Sequence, residues 1–358
     1  MPDLDSPQTL VLVFGSSSYL EHPEALSSLR AAFPRAHLAG CSSAGEICGT
    51  RVRDGSLSFA VMRFAHTAVR VVESSLDAGA SSRAAGEALA RAALGDKLRA
   101  VFVLSDGVAV NGTELLDGMH AVLPPDVVVT GGLAGDGTAF RRTWVLRDET
   151  PRRGIVVGVA LYGDAVRVDH GSRGGWDAFG PERVVTRAEG NVLYELDGAP
   201  ALALYKRYLG ERAKELPATA LLFPVALRAR EDGEDVVVRT ILSVDESSQS
   251  MTFAGDIPSG GVAQLMRANL DRLIEGAAQA SHAARSVTSD ALTLAVSCVG
   301  RRLVLGERVE EELDATQEAA PGGPMVGFYS YGEISPTGRG ERARLHNQTM
   351  TVTRLWEA

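Results

Sequence analysis

The residues best equipped for chemistry stand in one stretch, Gly40-Cys41-Ser42-Ser43-Ala44-Gly45-Glu46-Ile47. It offers a thiol, two hydroxyls and a carboxylate within one turn. A nucleophile elbow needs glycine two residues before and two after its serine, and neither Ser42 nor Ser43 has both. Cys41 could attack an acyl group if its thiolate were stabilised, which makes a thiol-dependent acyl-transfer enzyme one alternative; cysteine is as readily a small buried apolar residue. The stretch also recurs. Gly327-Phe328-Tyr329-Ser330-Tyr331-Gly332-Glu333-Ile334 repeats Ser-x-Gly-Glu-Ile in register, and Gly131-Gly132-Leu133-Ala134-Gly135-Asp136 is a looser copy. Repetition favours turns that serve the fold. Glu46 and Glu333 are then either carboxylates that accept N–H groups of their own turns or acids that line a pocket and receive a cationic group.

Two histidines stand out by context. His170 precedes a glycine-rich loop carrying Trp176 and Phe179, and His346 lies in Leu345-His346-Asn347-Gln348-Thr349 just after the third turn. No histidine pair has metal-binding i, i+4 spacing, but either ring could meet a haem iron in an apolar pocket. Arg301, beside Arg302, could grip a carboxylate with two hydrogen bonds. The candidate ligand-binding set is therefore Cys41, Ser42, Ser43 and Glu46 from the first turn, Tyr331, Glu333, His346 and Asn347 from the last, and Arg301. No catalytic residue and no metal ligand is expected, and no nucleotide-binding glycine motif occurs.

Composition narrows the class. A chain of 358 residues with 45% hydrophobic and 23% charged residues reads as a globular protein of two domains. A net charge of −9 argues against nucleic-acid binding, which needs clustered Lys and Arg. No apolar run approaches the roughly 20 residues of a membrane helix, and the acidic start lacks the basic residues of a secretory signal. The 3 cysteines make neither a disulfide framework nor a zinc spacing, so a reduced, cytoplasmic setting is expected.

The elements that position these turns repeat as well. Buried strands are expected at 9–16, 100–104, 127–130, 292–298 and 324–329 from short apolar runs ended by Gly or Ser. Helices are expected at 22–33, 81–94, 113–123, 199–209, 270–285 and 307–316 from apolar spacing, with Ser81 or Ser82 as a cap. Paired strands follow the first two turns, at 56–64 with 69–74 and at 143–147 with 155–162. The first two turns stand about 90 residues apart, a half-domain spacing rather than a solenoid period. The expected fold class is α/β: mixed β-sheets covered by helices, built from repeated strand-helix-strand-Gly turn-strand-strand units in two related domains, 1–198 and 199–358.

Taken together, these motifs resemble a known family. The first and second turns, Val-Thr-Arg-Ala-Glu-Gly-Asn at 185–191 and Leu-Asp-Gly-Ala-Pro-Ala-Leu at 196–202 are similar to the N-terminal FIST domain. Phe-Pro at 223–224, Ser-Cys-Val-Gly-Arg at 297–301, the third turn and Leu-His-Asn-Gln-Thr at 345–349 resemble its C-terminal partner. The resemblance implies an intracellular sensory module that binds a small ligand such as an amino acid and passes its signal to another protein. Some relatives are haem proteins that sense nitric oxide and control a histidine kinase in trans, which makes haem sensing the other alternative.

Overall fold

The computed structural model describes residues 4–76, 79–216, 218–229, 236–284 and 290–358. Its α-helices are α1 (Glu24–Ala32), α2 (Ser82–Ala93), α3 (Gly112–His120), α4 (Ala201–Leu209), α5 (Leu270–Ala283), α6 (Val299–Leu305) and α7 (Val309–Ala319). The Ser81 hydroxyl caps α2 by accepting the Ala84 N–H at 3.1 Å, as its side chain and position lead one to expect. Residue 285, placed in α5 from sequence, lies outside the described residues.

The chain builds one motif three times. Strands Thr9–Gly15 and His37–Ser42 lie parallel, as do Leu98–Ser105 with Val128–Leu133 and Leu292–Cys298 with Met325–Ser330. Helical connections α1, α3 and α6–α7 join the members of each pair. A third strand runs antiparallel beside the first of each pair: Leu57–Arg63, Ile155–Tyr162 and Met350–Glu357. The repeated turns are thus three copies of one structural position.

On the other flank the units exchange strands in a cycle. Glu46–Cys48, after the first turn, pairs with Met325–Ser330 of the third unit. Gly332–Pro336, after the third turn, pairs with Val128–Leu133 of the second. Val145–Arg147, after the second turn, pairs with His37–Ser42 of the first. Gly45 makes one such exit with φ 143°, a backbone shape that favours glycine. Two strands cross over in the same sense, Ala68–Ser75 to the second sheet and Val166–Arg173 to the third.

Each leading strand is apolar on both faces because both are covered. Leu10, Leu12, Phe14, Phe102, Leu104, Leu294 and Val296 meet in one central cluster, where Phe14 stacks on Phe328 at 4.8 Å. The alternate residues pack outward, Val11 and Val13 under α1, Val101 and Val103 under α2 and α3. The α2–α3 crossing is close. A Cβ on Gly86 would lie 2.1 Å from the Leu115 carbonyl oxygen and one on Gly118 2.0 Å from that of Arg83.

Between Val166–Arg173 and α5 the chain forms a separate nine-stranded sheet with its own core around Val185, Leu202, Tyr205 and Phe253, covered by α4. Residue 198 falls inside this sheet: Val192–Leu196 pairs with both Ala199–Pro200 and Ser250–Phe253. The division at 198 is one of sequence, while sheets are shared across it. The fold class is the expected α/β with mixed sheets covered by helices. Among the described residues no helix is long and apolar enough to cross a membrane.

Candidate functional site

The three turns meet where the three units meet. The Ala44 N–H donates to the Tyr329 carbonyl at 2.8 Å, the Gly135 N–H to that of Ser42 at 3.1 Å, and the Tyr331 N–H to that of Leu133 at 3.1 Å. Donors and acceptors occupy matching places in the three motifs, so these bonds form a closed ring. It explains the small residues of the first turn: a Cβ on Gly135 would lie 2.9 Å from the Ala44 Cβ.

The sequence-chosen residues take up positions around this ring, and most are sealed by protein partners. Ser42 Oγ accepts the Trp144 N–H at 3.0 Å and Ser43 Oγ that of Gly45 at 2.8 Å. Glu46 accepts the N–H and hydroxyl of Ser56, both at 2.9 Å. Glu333 accepts the N–H and hydroxyl of Thr349, at 3.2 and 2.9 Å, and the Ser330 hydroxyl at 2.6 Å. Ser56 and Thr349 each precede the third strand of their own unit, so both glutamates hold a turn to that strand. In the second unit Asp106 does this, taking the Gly154 N–H at 2.8 Å. Asn347 donates to the Tyr331 carbonyl at 3.2 Å.

Three expectations change in detail. Cys41 is fully buried, and burial pushes its thiol well above the usual range; the thiolate that acyl transfer would need is disfavoured there. Arg301 sits on α6, and the carboxylate it grips is not a ligand's but that of Glu312 of α7, at 2.8 and 3.0 Å. It also donates to the Leu273 carbonyl at 2.7 Å and to that of Gly174. Neither haem-candidate histidine lines the cavities beside α3. The His346 ring is buried with Nε2 on the Ser335 carbonyl at 2.9 Å, and His170 Nδ1 is buried without a hydrogen-bond partner.

Tyr331 is different, because its ring reaches a cavity. This space of about 220 Å³ lies at the carboxyl ends of Leu98–Ser105 and Val128–Leu133 and against the start of α3. Its inner wall comes from Gly107–Asn111, Leu133, Phe140 and Tyr331, and its outer wall from Asn191, Leu242 and residues 253–255 of the nine-stranded sheet. Crevices at the carboxyl ends of parallel strands, and boundaries between packed bodies, are where α/β proteins hold ligands. The Phe140 ring stacks on Tyr331 at 4.2 Å between centroids. The Tyr331 hydroxyl bonds Asp136 and accepts the N–H groups of Asp136 and Phe140 at 3.1 and 3.2 Å. Burial works against the Asp136 carboxylate, but that hydroxyl and the N–H groups of Arg142, Arg141 and Phe140 outweigh it and hold its pKa below the ordinary value. Asn111 caps α3 through Oδ1, on the N–H groups of Thr113 and Glu114 at 3.0 and 3.3 Å, and its amide spans to Asp256, the residue after the outer-wall segment 253–255, at 3.0 Å.

The model of the FIST N domain matches residues 9–199 and that of the FIST C domain matches residues 201–336. The chain belongs to the FIST family. FIST domains are associated with sensory signal transduction and small-ligand binding. Two uncharacterized proteins, from Mycobacterium bovis and Mycobacterium tuberculosis, are each 27% identical to it over 239 residues, which is 64% of this chain and 60% of each relative. Those relatives are thus matched over less than two thirds of their own length.

In this FIST chain the cavity residues other than Tyr331 escape a reading by motif. A signal was present in Ser105-Asp106-Gly107, a strand end followed by the helix cap Asn111. Asp106 fixes that loop by accepting the Val108 and Ala109 N–H groups at 2.8 and 3.0 Å and the Thr143 hydroxyl at 2.7 Å.

The buried glutamate of the third turn makes the FIST fold sensitive to pH. Burial raises Glu333 from 4.5 to about 8, against the opposing bonds from Ser330 and Thr349. Below 4.5 the carboxyl is protonated in folded and unfolded chains alike; from there to about 8 only the unfolded chain loses its proton, so this group's stabilising contribution falls as pH rises through that window. Glu46, raised to about 6 chiefly by burial, acts in the same direction over a shorter span. His346, lowered to about 4 by burial, acts oppositely below its ordinary value of 6.5. In urea unfolding followed from about pH 5 to 8, Glu333→Gln is expected to flatten the decline by an amount on the order of a few kcal/mol. An unchanged slope would show that Glu333 does not carry its proton into the fold.

Proposed function

We propose that this FIST protein is a non-enzymatic sensor that binds a small metabolite in the cavity between α3 and the nine-stranded sheet and passes the signal to a partner protein. The observation that carries the reading is the position of that cavity. Its two walls belong to bodies with separate cores, and Leu133 and Tyr331, both part of the ring of turns, stand on one of them. A ligand touching both walls favours the arrangement in which they stand at the right separation, which is all that a population shift requires. The lining suits a compact ligand with an apolar body and a few polar groups, such as an amino acid or a related metabolite. A cytoplasmic setting and a signalling partner such as a histidine kinase accord with the family's association.

The test is a thermal-shift screen of amino acids and central metabolites on the wild type and on Ala109→Trp. Ala109 lies on the cavity wall with its side chain exposed, so the indole occupies the space without disturbing the core. A ligand at 100 times its Kd adds roughly 2.7 kcal/mol, a readily measured rise in Tm. The expected result is a compound that stabilises the wild type and not the variant. Equal stabilisation of both would move the site elsewhere, and no stabilising compound would defeat the sensor reading.

A further inference from the structure

A second cavity, of about 430 Å³, runs along the other side of α3. Its walls are the α3 face bearing Thr113, Asp117 and His120, strand Val236–Arg239 at one edge of the nine-stranded sheet, and strand Ala343–His346 at one edge of the second sheet, with Glu341 and Arg342 before it. We propose that this trench is a binding site for a small oxyanion, the phosphate or carboxylate group of a metabolite, held by the Arg239 guanidinium with Thr113, while His120 two helical turns away meets the rest of the metabolite.

The first support is Arg239 itself. It is 5% exposed, its Nη1 donates to the Leu345 carbonyl at 2.8 Å, and its Nε is buried without a partner. Among the described residues no carboxylate lies within ion-pair distance of it. The charges of Asp256 and Glu333 reach it from a distance, but both carboxylates have hydrogen bonds elsewhere, Asp256 to the Asn111 amide and Glu333 to Ser330 and Thr349. Of the other two buried arginines among the described residues, Arg301 has a complete carboxylate partner in Glu312, while Arg354 donates to the Gly322 carbonyl at 3.2 Å and lines neither cavity beside α3. A buried cation without a carboxylate partner is costly, and an oxyanion, which meets guanidinium N–H groups in their own plane, relieves that cost.

The second support is independent of charge. Thr113 Oγ1 and His120 Nε2 are also buried without partners, and both residues line the same trench. Two helical turns separate them, roughly 10 Å along α3, so the polar groups run the length of the cavity. Around them stand Arg342, whose Nη1 donates to the His120 carbonyl at 2.7 Å, and Arg344. Asp117 and Glu341 face the same space. Of these, Asp117 is a repulsive element that an anion must tolerate.

This site is separate from the first cavity but close to it. A Cβ on Gly255, a wall residue of the first, would lie 2.7 Å from Arg239 Nε. The experiment is calorimetric titration with inorganic phosphate and, separately, succinate, at constant ionic strength set with chloride. The proteins are the full chain and its Arg239→Gln, Thr113→Val, Asp117→Asn and Ala109→Trp variants. At least one anion is expected to bind saturably, and which one does so distinguishes a phosphate from a carboxylate ligand. Thr113→Val is expected to weaken binding by about tenfold and Arg239→Gln to abolish it. Asp117→Asn, which removes a repulsive charge, is expected to tighten it severalfold, a gain that damage to the fold cannot imitate. Ala109→Trp should leave it intact, which separates this site from the first. Absence of saturable binding by either anion, or an affinity indifferent to both Thr113→Val and Asp117→Asn, would overturn the proposal.

Discussion

Glu312→Ala is expected to destabilise the protein by about 3–5 kcal/mol, the loss typical when one partner of a buried ion pair is removed. Arg301 and Glu312 are both 0% exposed. Beyond the arginine, Glu312 accepts the Ser297 hydroxyl at 3.1 Å and the Tyr329 hydroxyl at 2.7 Å. One carboxylate therefore ties α7 to α6 and to both parallel strands of the third unit. Alanine leaves a sealed guanidinium and two hydroxyls without their acceptor, and each such group carries its own desolvation cost. The double variant Arg301→Met, Glu312→Leu removes both charges while keeping apolar volume, and it should recover a large part of the loss. Urea unfolding of the three proteins decides the matter. A single-variant loss below about 1 kcal/mol, the range of exposed pairs, would show that the network is not needed to hold the unit together.

Expressed alone, residues 1–199 are expected not to fold cooperatively. Cutting there leaves Glu46–Cys48 without Met325–Ser330, Val128–Leu133 without Gly332–Pro336, and Val166–Arg173 without Met350–Glu357. It also removes Leu292, Leu294, Val296 and Phe328 from the central cluster. Several sheet edges would become open to other chains, and such edges aggregate. Circular dichroism with thermal melting should give a broad, shallow transition for the fragment, and mixing or co-expression with residues 200–358 should restore a sharp one. A monomeric fragment with a cooperative melt would show that the first two units are self-sufficient.

How far the residues themselves foretold this depended on range. The leading strands were legible because burial on both faces makes continuous apolar runs such as Leu10–Phe14, and Ser81 announced α2. That Glu46 and Glu333 fix turns was legible as one of two readings, but the N–H groups they accept, those of Ser56 and Thr349, lie 10 and 16 residues further on and not in their own turns. The cyclic exchange was not legible. Its strands Glu46–Cys48 and Val145–Arg147 are three residues long, too short for periodicity, and their partners are remote in sequence. The partner of Arg301 was hidden among Glu310, Glu311 and Glu312, an acidic run that reads as a solvated face until one member turns inward. The helix α6 was hidden by Gly300, which weakens any helical reading of Val299–Leu305. That glycine has a packing reason, since a Cβ there would lie 2.4 Å from Gln348 Nε2. The cavity walls were least legible of all, because its halves come from Gly107–Asn111 and from residues 191–255, and only the tertiary fold brings them together.

The exchange of strands also sets a timetable for the chain during its synthesis. Ile47 pairs with Gly327, a residue about 280 positions later, and at 5–20 residues per second that partner emerges roughly 15–60 s after it. For that interval the first unit is translated, apolar and unfinished, and its central face has nothing to close against. The last bond of the ring can be made only when the third turn arrives, so completion of the fold waits on the end of synthesis.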